Sequence, residues 1–173
     1  MFLSIKEMEV RKVRFDETFA PGQIDFSDAG VEQAGPLRAV GTAELLANTE
    51  GEVRIMGSFA VEMEGECDRC LGRARFRLEP QLDLFYRPMV ADRSPEGEVE
   101  IDEGEAEIGF YQGGGMELED LLREQILLLL PMQRICREDC QGICPICGKD
   151  RNENPCNCSA APADDRWRAL RNL

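Results

Sequence analysis

The chain contains no histidine among its 173 residues. That absence excludes Ser-His-Asp machinery, imidazole acid–base chemistry and every zinc site that draws on a histidine ligand. Aromatic side chains make up only 6% of the chain, so a buried core has to be mostly aliphatic. Long apolar runs are lacking too. The longest, Ile126 to Leu130, falls far short of the roughly 18 residues that cross a bilayer, and it suits a buried helix end. The opening residues Met1-Phe2-Leu3-Ser4 reach Lys6 and Glu7 at once, without the apolar stretch of a signal peptide. A soluble cytoplasmic protein is the expectation. Positive charge is also scarce: 20 Lys and Arg stand against 34 Asp and Glu, a net charge of −14. Nucleic-acid binding is dominated by phosphate neutralisation, so the molecule as a whole repels RNA. Any RNA contact would need a local basic patch, and a protein is the expected direct partner.

Hydrophobic residues at 43% are enough for a real core, and the length fits one domain or a domain with a small appended module. The clearest local pattern is Val53, Ile55, Gly57, Phe59, Val61 and Met63 alternating with Arg54, Met56, Ser58, Ala60, Glu62 and Glu64. A period of two predicts a half-buried strand. Leu37 to Ala47 can pair with it through the turn at Asn48 to Gly51. Ala74, Phe76 and Leu78 alternate with Arg73, Arg75 and Arg77 and predict a third strand running on through Leu82, Leu84 and Tyr86. Upstream, Met8, Val10, Val13 and Phe15 suggest short extended segments, and 27–36 reads as a loop. Residues 92–107 hold eight acidic residues and one Arg, the composition of a solvated acidic loop. Ile108, Phe110 and Tyr111 suggest a short strand that Gly113 to Gly115 breaks. Leu118, Leu121, Leu122, Ile126 and Leu129 follow helical spacing behind acidic Glu117, Glu119 and Asp120, and Pro131 ends that helix. The stretch 159–163 reads as a linker, and 164–173 as a last short helix carrying Trp167 and Leu170.

The expected fold is therefore α+β: an antiparallel β-meander or barrel-like sheet, one main packing helix, and a C-terminal cysteine-rich zinc-binding module. It divides into 1–131, a β-rich domain with the acidic loop 92–107 and the packing helix 117–130, and 132–173, the cysteine-rich module with the short closing helix.

Eight cysteines carry the chemistry. In a reducing compartment, closely spaced cysteines read as metal ligands rather than disulfides. Cys144-Pro145-Ile146-Cys147-Gly148 is a tight Cys-x-x-Cys turn, and Gly148 accepts the positive φ that such a turn asks for. Backbone amides in this turn can point at the sulfurs. Cys156 and Cys158 follow and complete a candidate four-sulfur site. Cys67 and Cys70 form a second Cys-x-x-Cys turn, and Cys136 and Cys140 are one helical turn apart. These four make the second candidate site, which would clamp the sheet's turn to the end of the helical segment. Spacing leaves open an exchange of pairs between the sites. It also leaves iron–sulfur ligation and thiol redox chemistry as competitors to zinc. Four thiolates per zinc leave no position for a catalytic water, so two structural zinc ions and no enzymatic role are expected.

Cys67-Asp68-Arg69-Cys70-Leu71 after a β-rich half resembles the cysteine turn of the YceD family, the large ribosomal RNA subunit accumulation proteins. Asp120-Leu121 through Glu124-Gln125-Ile126 to Leu130-Pro131 is similar to that family's helix. The tail from Cys136 through Cys140-Gln141-Gly142-Ile143-Cys144-Pro145-Ile146-Cys147-Gly148 and Asn152 to Cys156-Asn157-Cys158 resembles its cysteine-rich branch, and Arg166-Trp167-Arg168-Ala169-Leu170 its closing helix. The resemblance implies a bacterial cytoplasmic factor that supports synthesis, processing or stability of large-subunit (23S) ribosomal RNA, and it brings no catalytic residues. Arg73, Arg75 and Arg77 are the candidate basic patch for RNA or a partner, with a solvated sheet face as the plain alternative. A metal-dependent nuclease on precursor rRNA and a thiol-redox or metal-sensing protein are the rival classes.

Overall fold

Alternating burial along a single long strand organises the sheet of this protein, seen in a computed structural model that describes residues 1–89 and 108–158. The strands are β1 (Phe2–Ser4), β2 (Val13–Phe19), β3 (Val31–Gln33), β4 (Leu37–Leu45), β5 (Val53–Glu66), β6 (Arg73–Leu78), β7 (Gln81–Pro88), β8 (Ile108–Tyr111) and β9 (Gly115–Glu117). The helices are α1 (Ile5–Met8) and α2 (Leu118–Leu128), with a single 3-10 turn at Ser27–Ala29. The chain groups into two units. One comprises Met1–Gly65 with Arg75–Met132, and the other comprises Glu66–Ala74 with the chain from Gln133 onward.

In the first unit the strand order is β2-β4-β5-β7-β8, while β3 and β6 also pair with β5. The predicted alternation is seen directly: Val53, Ile55, Phe59, Val61 and Met63 are buried. The first half of β5 runs between β4 and β7, antiparallel to both, with Ile55 opposite Ala43 on one side and Leu84 on the other. Its second half pairs with β3, with Gln33 opposite Met63. A strand of this length serves two sets of neighbours because its buried side never changes face over the alternating run.

The sheet differs from the expected meander and does not close into a barrel. The region after the cysteine turn is two strands, β6 and β7, separated at Glu79-Pro80, where a proline without an N–H interrupts the ladder. β8 then joins β7 in parallel, with Phe85 opposite Ile108, which no meander contains. Parallel neighbours need a long crossover, and here the chain between them includes 90–107. The amino-terminal stretch is part helix, and 27–36 contains β3 rather than loop alone. The acidic loop at 92–107, the linker at 159–163 and the closing helix at 164–173 lie outside the described residues.

Helix α2 forms as expected, two residues shorter at its end than predicted. Leu118, Leu121, Leu122 and Ile126 are buried on one stripe and join the same core as Leu3, Phe15, Ile55 and Met63. Each such side chain contributes about 2 kcal/mol by leaving water. Glu119 and Asp120 occupy the first turn, where the helix dipole favours negative charge. The helix stops at Leu129, ahead of Pro131, which disfavours helical geometry before it. No helix among the described residues is long and apolar enough to cross a membrane.

Candidate metal centres

Among its described residues the second unit has almost no apolar interior of its own. Its buried cluster consists of Cys67, Ala74 and Cys140, with Cys70 packed against them. What fills its centre is sulfur. The eight thiols, all free, gather as Cys67, Cys70, Cys136 and Cys140, and as Cys144, Cys147, Cys156 and Cys158, each set with its ligand atoms within 4.8 Å of one another. The partition that spacing left open is thus decided by the fold. In the first set Cys67 Sγ lies 4.0 Å from Cys140 Sγ, and Cys70 Sγ lies 3.7 Å from Cys136 Sγ. Those separations are far beyond a disulfide bond. They match the tetrahedron edge of about 3.8 Å that follows from a zinc–sulfur bond of about 2.3 Å. The residues present therefore fit a mononuclear metal ion.

Each Cys-x-x-Cys turn is built in the same way. In the first, Leu71 N–H donates to Cys67 C=O at 2.9 Å and Cys67 N–H donates to Gly72 C=O at 2.7 Å. In the second, Gly148 N–H donates to Cys144 C=O and Cys144 N–H to Lys149 C=O, both at 2.9 Å. The residue after the second cysteine is left-handed in both, Leu71 at φ 61° and Gly148 at φ 70°. Gly148 behaves as the sequence predicts. Leu71 adopts the same backbone with a side chain that disfavours it, so it carries local strain. A Cβ at Gly148 would meet nothing within 4 Å, so Gly148→Ala should register the backbone penalty alone. The expected outcome is about 1 kcal/mol of lost stability, read as a roughly fivefold weaker metal site in a chelator competition.

The expected amide-to-sulfur bonds are present, and they set the thiol acidities. Burial raises the Cys67 thiol, but the amides of Arg69, Cys70 and Cys136 outweigh it and bring it down to about 6; the Cys136 amide lies 3.3 Å from that sulfur. The amides of Cys147 and Ile146 bring Cys144 down to about 5, and Arg151 Nη2 lies 3.6 Å from its sulfur. Cys140 is lowered first by the side-chain amide of Asn152. Others move the opposite way, because crowded thiols cannot all carry charge without a cation. Burial and then neighbouring Cys140 push Cys136 up to about 12. Cys147 and Cys156 push Cys158 up to about 12.

A pH dependence follows. A thiol with a raised pKa is protonated at neutral pH and must lose that proton to bind metal. Binding therefore releases protons, and affinity falls as pH falls. Cys158 is raised in one site and both Cys70 and Cys136 in the other. This predicts binding weaker by at least about tenfold at the first and about a hundredfold at the second for each unit below neutrality. Proton release measured by calorimetry in buffers of different ionisation enthalpy checks this.

The arginines of β6 sit at alternate exposed positions, as expected, but two of them are matched within the sheet. Arg75 Nε donates to Glu64 Oε2 at 2.7 Å, and Arg77 pairs with Glu79 and, at 3.9 Å, with Glu62. The sequence reading did not anticipate a separate feature in the first unit, a cleft of about 370 Å³. Phe2, Tyr86 and Phe110 line it together with Glu117, Asp120 and Glu124. The helical spacing of Asp120 and Glu124 was the available signal, but only the tertiary fold sets aromatic rings against them. Tyr86 Oη donates to Glu124 Oε2 at 3.4 Å, and burial together with that carboxylate raises its hydroxyl.

The family described as large ribosomal RNA subunit accumulation protein YceD matches residues 55–173. Uncharacterized proteins of Mycobacterium bovis and Mycobacterium tuberculosis are each 30% identical over 156 residues, which is 90% of this chain and 70% of theirs. An uncharacterized protein of Mycobacterium leprae is 28% identical over 98 residues, 56% of this chain and 42% of its own. No solved structure matches the chain.

Proposed function

Because the chain belongs to the YceD family of large ribosomal RNA subunit accumulation proteins, we propose that it is a non-enzymatic ribosome-biogenesis factor of the cytoplasm, supporting the synthesis, processing or stability of 23S ribosomal RNA. The family match across 55–173 carries this reading. In it the two tetrads hold structural zinc: Cys67, Cys70, Cys136 and Cys140 bind one ion, and Cys144, Cys147, Cys156 and Cys158 bind the other. Four thiolates close the coordination shell and leave no place for a reacting water, which is why the metal is assigned to the fold and no catalytic role is given to it. Sulfurs within 4.8 Å of one another suit a single ion better than an iron–sulfur cluster, whose own atoms hold its ligand sulfurs further apart.

A protein component of the pre-ribosomal particle is the direct partner in this reading. The net charge of −14, the pairing of Arg75 and Arg77 with carboxylates and the acidic, aromatic-lined cleft all suit a basic protein better than phosphate. Depletion of the chain should lower the ratio of large- to small-subunit ribosomal RNA, and crosslinked affinity purification should recover a basic protein of the particle. An unchanged ratio would sink the proposal. Purified protein should contain two zinc ions and leave precursor rRNA uncut in Mg²⁺; Mg²⁺-dependent cleavage would favour the nuclease reading instead. Loss of zinc under mild peroxide, with a change in activity, would favour the redox-sensing one.

A further inference from the structure

The two tetrads are connected by more than sequence. Cys140, a member of one, and Cys144, a member of the other, are joined by Gln141-Gly142-Ile143. The loop between Cys147 and Cys156 folds back on this connection. Ile143 bridges to Asp150, and Arg151 N–H donates to Gly142 C=O at 3.0 Å. Two successive residues of the loop then face different sites: Arg151 Nη2 lies 3.6 Å from Cys144 Sγ, and Asn152 Nδ2 lies 3.4 Å from Cys140 Sγ.

The Asn152 amide is held in one orientation. Its Oδ1 accepts from Gln141 N–H and from Arg137 Nη2, both at 2.9 Å. With the oxygen engaged by two donors, the Nδ2 group points to Asp150 Oδ1 at 2.7 Å and to the Cys140 sulfur. A metal-bound thiolate gains from such a donor. The donor reaches it only from a loop whose two ends, Cys147 and Cys156, belong to the other tetrad.

We propose that the two tetrads bind metal cooperatively, with Asn152 as the positioning residue through which occupancy of the Cys144/Cys147/Cys156/Cys158 site strengthens binding at the Cys67/Cys70/Cys136/Cys140 site. This rests on the reading of both tetrads as metal sites. Linkage makes the effect reciprocal: whatever factor one ion contributes to the other's affinity is returned. Loss of one partner of a metal ligand typically weakens binding by about 10- to 100-fold, and about tenfold is expected here.

The test uses the full, reduced chain loaded with ¹¹³Cd²⁺, with two resonances assigned by the ligand variants C70S/C136S and C147S/C156S. Chelator competition then reads the occupancy of each site separately. Asn152→Ala, which keeps all eight ligands, should weaken the Cys67/Cys70/Cys136/Cys140 site about tenfold. C147S/C156S should weaken it at least as much, and adding Asn152→Ala to that variant should change it little further. Both resonances at saturating cadmium show that Asn152→Ala still folds. Equal effects of Asn152→Ala with and without the second site would overturn the proposal, as would no effect in the intact chain. Two resonances that fill independently would overturn the coupling and leave the metal sites standing; a chain that takes up no cadmium would overturn both.

Discussion

Stripping the metal from the reduced chain is expected to unfold the second unit while the sheet survives. Structural zinc contributes about 10–16 kcal/mol of apparent binding free energy in small all-ligand folds. No other favourable term among the described residues of this unit approaches that. Its buried cluster is Cys67, Ala74 and Cys140, and a side chain as small as alanine gives little by leaving water. Its polar links, such as Asp68 N–H donating to Arg134 C=O at 2.8 Å and Arg134 N–H donating to Asp68 Oδ2 at 2.6 Å, are individually worth about 1 kcal/mol. Without a cation, the thiols are left crowded, some held as thiolates and some forced to stay protonated. The first unit, by contrast, keeps a core in which Leu3, Leu37, Ile55, Met63, Leu118, Leu122 and Ile126 are fully buried. Hydrogen exchange before and after chelation should therefore show protection lost at 66–74 and 133–158 and retained in β4, β5, β7 and α2. Retained protection in the second unit, with metal content verified as zero, would show that the thiols do not fasten it.

Gly57→Ala is expected to harm the first unit strongly for so small a change. Gly57 lies opposite Gly41 where β4 and β5 pair. An added Cβ would stand 2.3 Å from the Val40 carbonyl oxygen and 2.8 Å from the Gly41 Cα. Both are backbone atoms in the middle of a ladder, so no side-chain rotation relieves the clash. Either β4 moves, breaking its register with β2 as well, or β5 does, breaking its register with β7. Overpacking of this kind costs about 3 kcal/mol, measurable as a shifted denaturant midpoint. Gly35→Ala is the control, since a Cβ there meets nothing within 4 Å and its φ lies outside the positive range; it should change stability by less than about 0.5 kcal/mol.

This glycine pair shows where sequence reading stopped. Gly57 was legible as one position in an alternating strand, and β5 formed as predicted because a period of two survives any tertiary context that buries one face. That the strand pairs with its neighbour so closely at Gly41 that a methyl group cannot fit is a property of the pair, and neither strand alone contains it. The same holds for β6 and β7, which share one apolar rhythm in sequence but separate at Pro80. It holds again for β8, whose parallel pairing with β7 depends on the path of the intervening chain rather than on its own four residues. Arg75 and Arg77 looked like a cationic face because their partners, Glu62, Glu64 and Glu79, sit on the neighbouring strand or beyond the strand end.

The sequence by itself determined the chemistry. With no histidine and eight cysteines at short spacing, any soft-metal site had to be all-thiolate, and Cys-x-x-Cys followed by glycine at Gly148 dictated a local turn whose amides face sulfur. These are short-range consequences of residue type, backbone freedom and ligand charge. Only the tertiary structure decided which four cysteines share a centre, brought Cys67 and Cys70 to Cys136 and Cys140 across more than sixty residues of chain, and delivered Asn152 from one site's loop to the other site's sulfur. The physical reason is that a tetrahedral set of thiols within 4.8 Å is a statement about distances in space. Spacing along the chain constrains such distances only within a single turn.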